Sequence, residues 1–254
     1  MRRLPALALA LALGLTAALA APALAASLPP LTLAPQAIAI NSLYNGTDLT
    51  VTGQAPAGSQ VVVRLAGAAQ TFPMKEKGRV LGLLWMNTDK VSFANAPSVF
   101  LVAASPEAPA EAVATFGVPG LAPGITVESH DPDTAQLVAE FLKFQKSEKL
   151  YLENAGQVTL GPDAGDTRPF TAVLHLPSRL SPGAYTVEVL ALDGGAVAAR
   201  GQATIKASFV GVPAFLADMA FGHGALYGIL ASIIAILGGL VIGQLFSGSK
   251  SGAH

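Results

Sequence analysis

The sequence predicts a mainly β chain: two β-sandwich units with one inserted amphipathic helix, followed by a transmembrane α-helix. Three observations carry this. Short runs rich in Val, Leu, Ile and Thr recur between Gly, Pro, Asn and Asp, which is the pattern of strands and turns. One stretch, Thr134 to Lys146, changes to helical spacing. Two apolar segments, residues 4–20 and 226–246, bracket the chain.

The first segment reads as a secretory signal over residues 1–25. Arg2 and Arg3 form the positive start, Leu4 to Ala20 the apolar run, and Ala23-Leu24-Ala25 the small-residue cleavage site. The alternative is an uncleaved anchor, but the run is short of the ~20 residues a span needs. A first sandwich unit is then expected over 26–105. Its strands are expected at 31–40, 47–53, 60–66, 79–86, 90–93 and 98–105. The charged run Lys75-Glu76-Lys77-Gly78-Arg79 between them reads as a solvated hairpin tip. Trp85 is expected in the core.

Pro106 to Pro109 marks the best internal break, and a helix plus a second sandwich unit are expected over 106–208. Strands are expected at 112–116, 124–128, 157–160, 169–176, 184–192 and 196–206. The helix places Leu137, Val138, Phe141 and Leu142 on one stripe, with Asp131 or Asp133 as cap. Lys143, Lys146 and Lys149 lie toward its C-terminus, where the helix dipole favours cations. In the segment 184–192, Tyr185, Val187, Val189 and Ala191 face one side, with Thr186, Glu188 and Leu190 on the other. Asp193-Gly194-Gly195 supplies a hairpin turn. Pro182-Gly183 before Tyr185 looks like the corner of an immunoglobulin-like sandwich, and both units are assigned to that type.

Residues 209–224 carry Phe209, Phe215 and Phe221 and read as an interfacial segment. The span is placed at 225–247. Its uncharged stretch Leu226 to Phe246 reaches about 31 Å, which matches a ~30 Å hydrocarbon core. Residues 248–254 are left as a short tail, with Lys250 as its fixed cation. Small residues recur along the span: Gly228, Ser232, Ala235, Gly239 and Gly243. In lipid such a row lets two helix backbones approach closely, so a helix-packing partner is expected there. The partner is either a second copy or another membrane protein.

Composition narrows the function. Net charge is −1, so no basic surface calls for nucleic acid. There is no cysteine, which removes disulfides, thiol catalysis and thiolate metal sites. The four histidines, at 130, 175, 223 and 254, show no metal-ligand spacing, and no metal or cofactor is assigned. No GxSxG or similar motif occurs, and no catalytic residue is assigned. Lys75, Lys77, Arg79, Asn87 and Asp89 are the expected partner surface, unless the polar ones simply hold a turn. Asn95-Ala96-Pro97 is expected to turn the chain before the next strand.

The block Val80 to Ser105 carries a G-(apolar)-W-(apolar)-N-x-D-x-V-x-F-x-N-x-P-S pattern behind a basic hairpin. Leu150-Tyr151, Leu176-Pro177, Pro182-Gly183-x-Tyr185-x-Val187 and Leu226-Tyr227-Gly228 accompany it. Together they resemble the transmembrane protein family first described from alphaproteobacteria, the Alph_Pro_TM type, over nearly all of the mature chain. The resemblance implies a bacterial, exported, single-pass protein with no assigned catalytic residues. It also implies a multi-pass partner of the sulfite/sulfonate-exporter permease type. The chain departs from the pattern in a longer Ala/Pro segment around 106–124 and a less basic tail.

The resulting expectation is a non-enzymatic inner-membrane protein with a periplasmic ectodomain and a cytoplasmic tail, accessory to a membrane partner such as a transporter. A periplasmic module for a small ligand or metal is the alternative. A membrane-anchored hydrolase is a third class, for which the sequence offers no motif.

Overall fold

A computed structural model describes residues 26–80, 84–129 and 133–247, with backbone alone at 76–80, 84–89 and 247. The expected signal segment and the tail lie outside the described residues, as do Gly82, His130 and Asp131. In chain order the strands are β1 (Ala26–Ser27), β2 (Thr32–Ala34), β3 (Ala37–Ile40), β4 (Thr47–Pro56), β5 (Gln60–Gly67), β6 (Ala69–Val80), β7 (Leu84–Pro97) and β8 (Phe100–Ala104). Helix α1 (Ala110–Phe116), a 3-10 turn (Pro119–Gly124), β9 (Thr126–Glu128) and α2 (Thr134–Ser147) follow. Then come β10 (Tyr151–Leu152), β11 (Gly156–Leu160), β12 (Thr167–Leu176), β13 (Gly183–Asp193), β14 (Ala196–Phe209), α3 (Val212–Gly222) and α4 (Gly224–Ser247).

A large sheet has the order β1-β14-β13-β5-β8-β10, with β3 also on β14. A small sheet has the order β11-β12-β4-β2. The two face each other across one core that holds Leu49, Val51, Val61, Val63, Leu65, Leu101, Phe170, Leu174, Val187 and Val189. Period-2 alternation places these side chains, as along β13, where Tyr185, Val187, Val189 and Ala191 all enter this core as the sequence predicts. Strands from both halves of the chain therefore share one interior. β4 pairs with β12 and β5 with β13, so the break near residue 105 does not separate two sheets. Sequence order hides this because the pairing partners lie more than 100 residues apart.

The large sheet is buried on its other face too. Val62, Phe100, Val102, Leu190 and Leu192 belong to a second core with Ala112, Val118, Leu137, Val138, Phe141 and Leu142. This is why β5 reads as an unbroken run: Val61, Val62 and Val63 are all 0% exposed. The segment 110–116 is a helix, not the expected strand. Ala110-Glu-Ala-Val-Ala is rich in strong helix formers, and one buried face, through Ala112, is enough to hold it.

Two interactions pin the large sheet. Arg64 donates from Nε (2.8 Å) and Nη2 (2.6 Å) to Glu188, its register partner on β13, and from Nη1 to the carbonyl of Phe116. Arg200 approaches the other Glu188 oxygen at 3.1 Å. The carboxylate thus joins three strands, while Arg64 also holds the end of α1. At the opposite face, the Tyr185 hydroxyl donates to the Ser181 carbonyl at 2.6 Å and closes the Pro182-Gly183 corner.

Replacing Tyr185 by Phe removes that bond, while the Ser181 carbonyl stays within reach of water. The expected cost is about 0.5–1.5 kcal/mol of unfolding free energy in urea denaturation, with an unchanged m-value.

Candidate functional site

β6 and β7 are not a separate hairpin but the continuation of β5 and β8. Antiparallel pairing runs in one register from Val62↔Ala104 to Ala66↔Phe100 and resumes at Ala69↔Pro97. Across the joint, Gly67 N–H donates to Val99 O (2.8 Å) and Ser98 N–H to Ala68 O (2.9 Å). Gly67 fits closely there: a Cβ would stand 2.0 Å from Ser98 Oγ, 3.1 Å from the Tyr185 ring and 3.2 Å from Val99 N, so these neighbours would have to shift. The ribbon then runs out to Val80↔Leu84.

The charged run is therefore an arm of the ribbon, not its tip. Lys75 stands opposite Lys90, Glu76 opposite Asp89, Lys77 opposite Asn87 and Arg79 opposite Trp85. The expected partner residues Lys75, Lys77, Arg79, Asn87 and Asp89 are thus gathered on facing arms. Asn87 and Asp89 are in a strand rather than a turn. A register shift beside Glu76 and Lys77 leaves no place for Thr88, which is a bulge. Asn95 likewise does not turn the chain. It sits at a second register shift with φ 61°, and its Nδ2 donates to Gly124 O at 2.8 Å. The Trp85 side chain lies outside the described residues.

The inner half of the ribbon is buttressed. β9 pairs with β7 through Ser92↔Glu128 and Phe93↔Val127. α2 lays Phe141 against it, stacked on Phe93 at 4.4 Å and tilted on Phe72 at 5.4 Å. Phe93 thus fills the core beside α2, not the interior between the two sheets. Phe141 also meets Tyr151 edge-on at 6.2 Å. The Tyr151 hydroxyl donates to Pro97 O at 2.6 Å, tying β10 to the ribbon's root. Burial pushes this phenol well above its ordinary pKa, partly offset by the Gln145 side chain.

α2 starts as the sequence predicts. Asp133 caps it, accepting from Gln136 N–H at 3.0 Å. Lys146 in its last turn reaches Glu153 at 3.1 Å. Between α2 and the ribbon lies a groove of about 510 Å³. Phe93, Leu137 and Phe141 give it an apolar floor; Lys75, Gln136 and Glu140 give it a polar rim. Among the described residues no group of three or more His, Cys, Asp or Glu is placed to hold a metal ion. His175 on β12 lies across from Asp48 on β4, with Nδ1 and Oδ1 2.5 Å apart on an exposed face. His223 follows α3 as its C-cap.

The small-residue row is on one face of α4: Gly228, Ser232, Ala235, Gly239 and Gly243 fall within a narrow arc at 3.6 residues per turn. Ser232 Oγ returns its hydrogen bond to Gly228 O at 2.8 Å, so it adds no free polar group. A Cβ at Gly228, Gly239 or Gly243 would meet nothing within 4 Å. Residues Gly224–Phe246 are long and apolar enough to cross a membrane, and none of that stretch is buried within the protein. Before it, α3 exposes Phe215, Leu216 and Phe221.

The chain matches the family described as "Putative transmembrane protein (Alph_Pro_TM)" over residues 30–247. It belongs to this family. The match takes in the ribbon, both sheets and the apolar helix, so the family's transmembrane character and the helix α4 agree. No curated protein matches the chain.

Two outcomes test the site. Phe141→Ala is expected to cost about 3–5 kcal/mol in denaturant unfolding, with faster hydrogen exchange in β6 and β7 than in β13. Tyr151 sets an alkaline limit. Its pKa is raised on folding, so its stabilisation is complete below the unfolded value of about 10 and is lost as pH climbs past it. Urea unfolding from neutral pH to about pH 11 is expected to show a stability loss above pH 10 that is shallower in Tyr151→Phe.

Proposed function

We propose that this protein is a non-enzymatic, single-pass protein of the bacterial inner membrane, with a periplasmic ectodomain and a cytoplasmic tail. In this reading it is an accessory subunit of a multi-pass membrane partner, with a permease of the sulfite/sulfonate-exporter type as the partner the family resemblance favours. One observation carries it: ribbon and membrane helix leave the sandwich at the same end. β14 runs antiparallel to β13 and ends at Phe209, beyond Gly183↔Ala207. Tyr185, at that same end of β13, pairs with Gly67, where β5 passes into the ribbon. Only β13 lies between β14 and β5, so the two exits are about 10 Å apart. A protein so built directs its charged ribbon, its groove and its small-residue helix face toward one membrane. A small-ligand module is the second reading, favoured by the groove, whose volume falls in the ~300–1,000 Å³ range of ligand sites.

The test is a mild-detergent pull-down of the tagged full-length protein beside Gly239→Leu/Gly243→Leu. A multi-pass protein recovered with the wild type and lost from the variant is the expected result, because two leucines block close helix approach. Recovery of the protein alone in both removes the accessory reading. A thermal shift of the same protein with a ligand panel then decides for the binding module.

A further inference from the structure

We infer that the outer end of the ribbon is a second membrane contact, which enters the headgroup region of the leaflet from which α4 emerges. This rests on α4 spanning that membrane.

Three observations lead there. The first is sequence placed by register. At the ribbon's end Val80 faces Leu84, Arg79 faces Trp85 and Gly78 faces Met86. Of these outermost described positions Val80, Leu84, Trp85 and Met86 are apolar, and Arg79 stands as a cation directly opposite the tryptophan. Lys75, Lys77 and Lys90 follow inward, so with Arg79 the outer ribbon carries four cations against the two anions Glu76 and Asp89. An apolar end with Trp, backed by basic residues, is the composition of a segment at a bilayer interface, particularly an anionic one.

The second is direction and reach. The ribbon leaves the large sheet at the end where β14 passes into α3 and α4. From Gly67 to Val80 it extends up to about 40 Å at ~3.3 Å per residue. The third is support. β9 and α2 stiffen the inner half, up to Ser92↔Glu128 and the Met74–Lys75 rim. Beyond that, no third strand joins the ribbon among the described residues. A groove-binding protein partner would draw mainly on the buttressed half; the bare apolar end suits a fluid phase.

The chain supplies its own probe, since Trp85 is its only tryptophan. The experiment uses the full-length protein reconstituted in phosphatidylglycerol/phosphatidylethanolamine vesicles, with and without bromine on the acyl chains. The expected result is a loss of half or more of Trp85 emission with brominated lipid, and weak quenching by aqueous acrylamide. Leu84→Glu is expected to reverse both, while its sandwich melts as in the wild type. Vesicles of phosphatidylcholine alone are expected to weaken the bromine effect, which separates headgroup charge from apolar insertion. Trp85 open to acrylamide and indifferent to bromine overturns the inference. So does protection that arises only when a membrane protein partner is added. Alkaline carbonate extraction of the same samples reports the α4 span separately: protein that stays in the pellet while Trp85 ignores bromine refutes the ribbon contact and leaves the anchor standing.

Discussion

The large sheet is buried on both faces, and most of the architecture follows from that. Val61 and Val63 enter one core while Val62 enters the other, and β13 splits the same way between Val187, Val189 and Leu190. A buried valine or leucine gains ~1.5–3 kcal/mol over an exposed one. The outward-facing Val62, Val102, Leu190 and Leu192 therefore require a cover that the small sheet cannot give. The segment between β8 and β10 supplies it with α1, the 3-10 turn, β9 and α2. The helices sit mid-sequence because the strands on either side need them as a third layer. They are not a linker between two sandwiches.

That third layer also creates the ribbon's support. An isolated two-stranded hairpin is marginal in water. Here the pairing begins inside a buried sheet, so the register is fixed before the ribbon leaves the core. Phe72 and Phe93 then share Phe141 with Tyr151, which couples the ribbon's root to β10. Strand polarity does the rest. Four antiparallel neighbours, β14, β13, β5 and β8, alternate in direction, so the exit of β14 and the exit of β5 fall at one end.

Much of this is legible in the residues. Period-2 alternation in β13, the Pro-Gly-x-Tyr corner, the Asp133 cap and the apolar stripe of α2 are local signals, and each describes the folded state. The C-terminal helix and its small-residue row are equally local. What the sequence conceals is non-local. Nothing in residues 47–56 announces that β4 pairs with β12, and a composition break at 106–109 imitates a domain boundary. The charged run at 75–79 imitates a loop because Lys75-Glu76-Lys77-Gly78-Arg79 holds no apolar residue and so shows no strand alternation. The segment 112–116 imitates a strand because Val113 and Phe116 stand among alanines. The groove beside α2 joins residues about 60 apart in sequence, Met74 with Leu137 and Lys75 with Glu140, and no short-range pattern marks it.

The ribbon's two halves differ in what holds them, and this bears on its role. The inner half has a third strand, an aromatic cluster and the Asn95 bond to Gly124. The outer half has two strands, with Lys75 opposite Lys90 and Glu76 opposite Asp89. Like charges at directly opposed positions weaken a pair of strands, by an amount similar to the ~0.2–1 kcal/mol that a good pair contributes. A segment with these pairs and an apolar end is close to balance in water. Transfer of the apolar end into a membrane interface, as proposed, favours the paired state, because pairing gathers its apolar residues at one end, where they leave water together. On the proposed membrane contact, the features that make the outer ribbon weak in water are thus the ones that make it responsive to a bilayer surface.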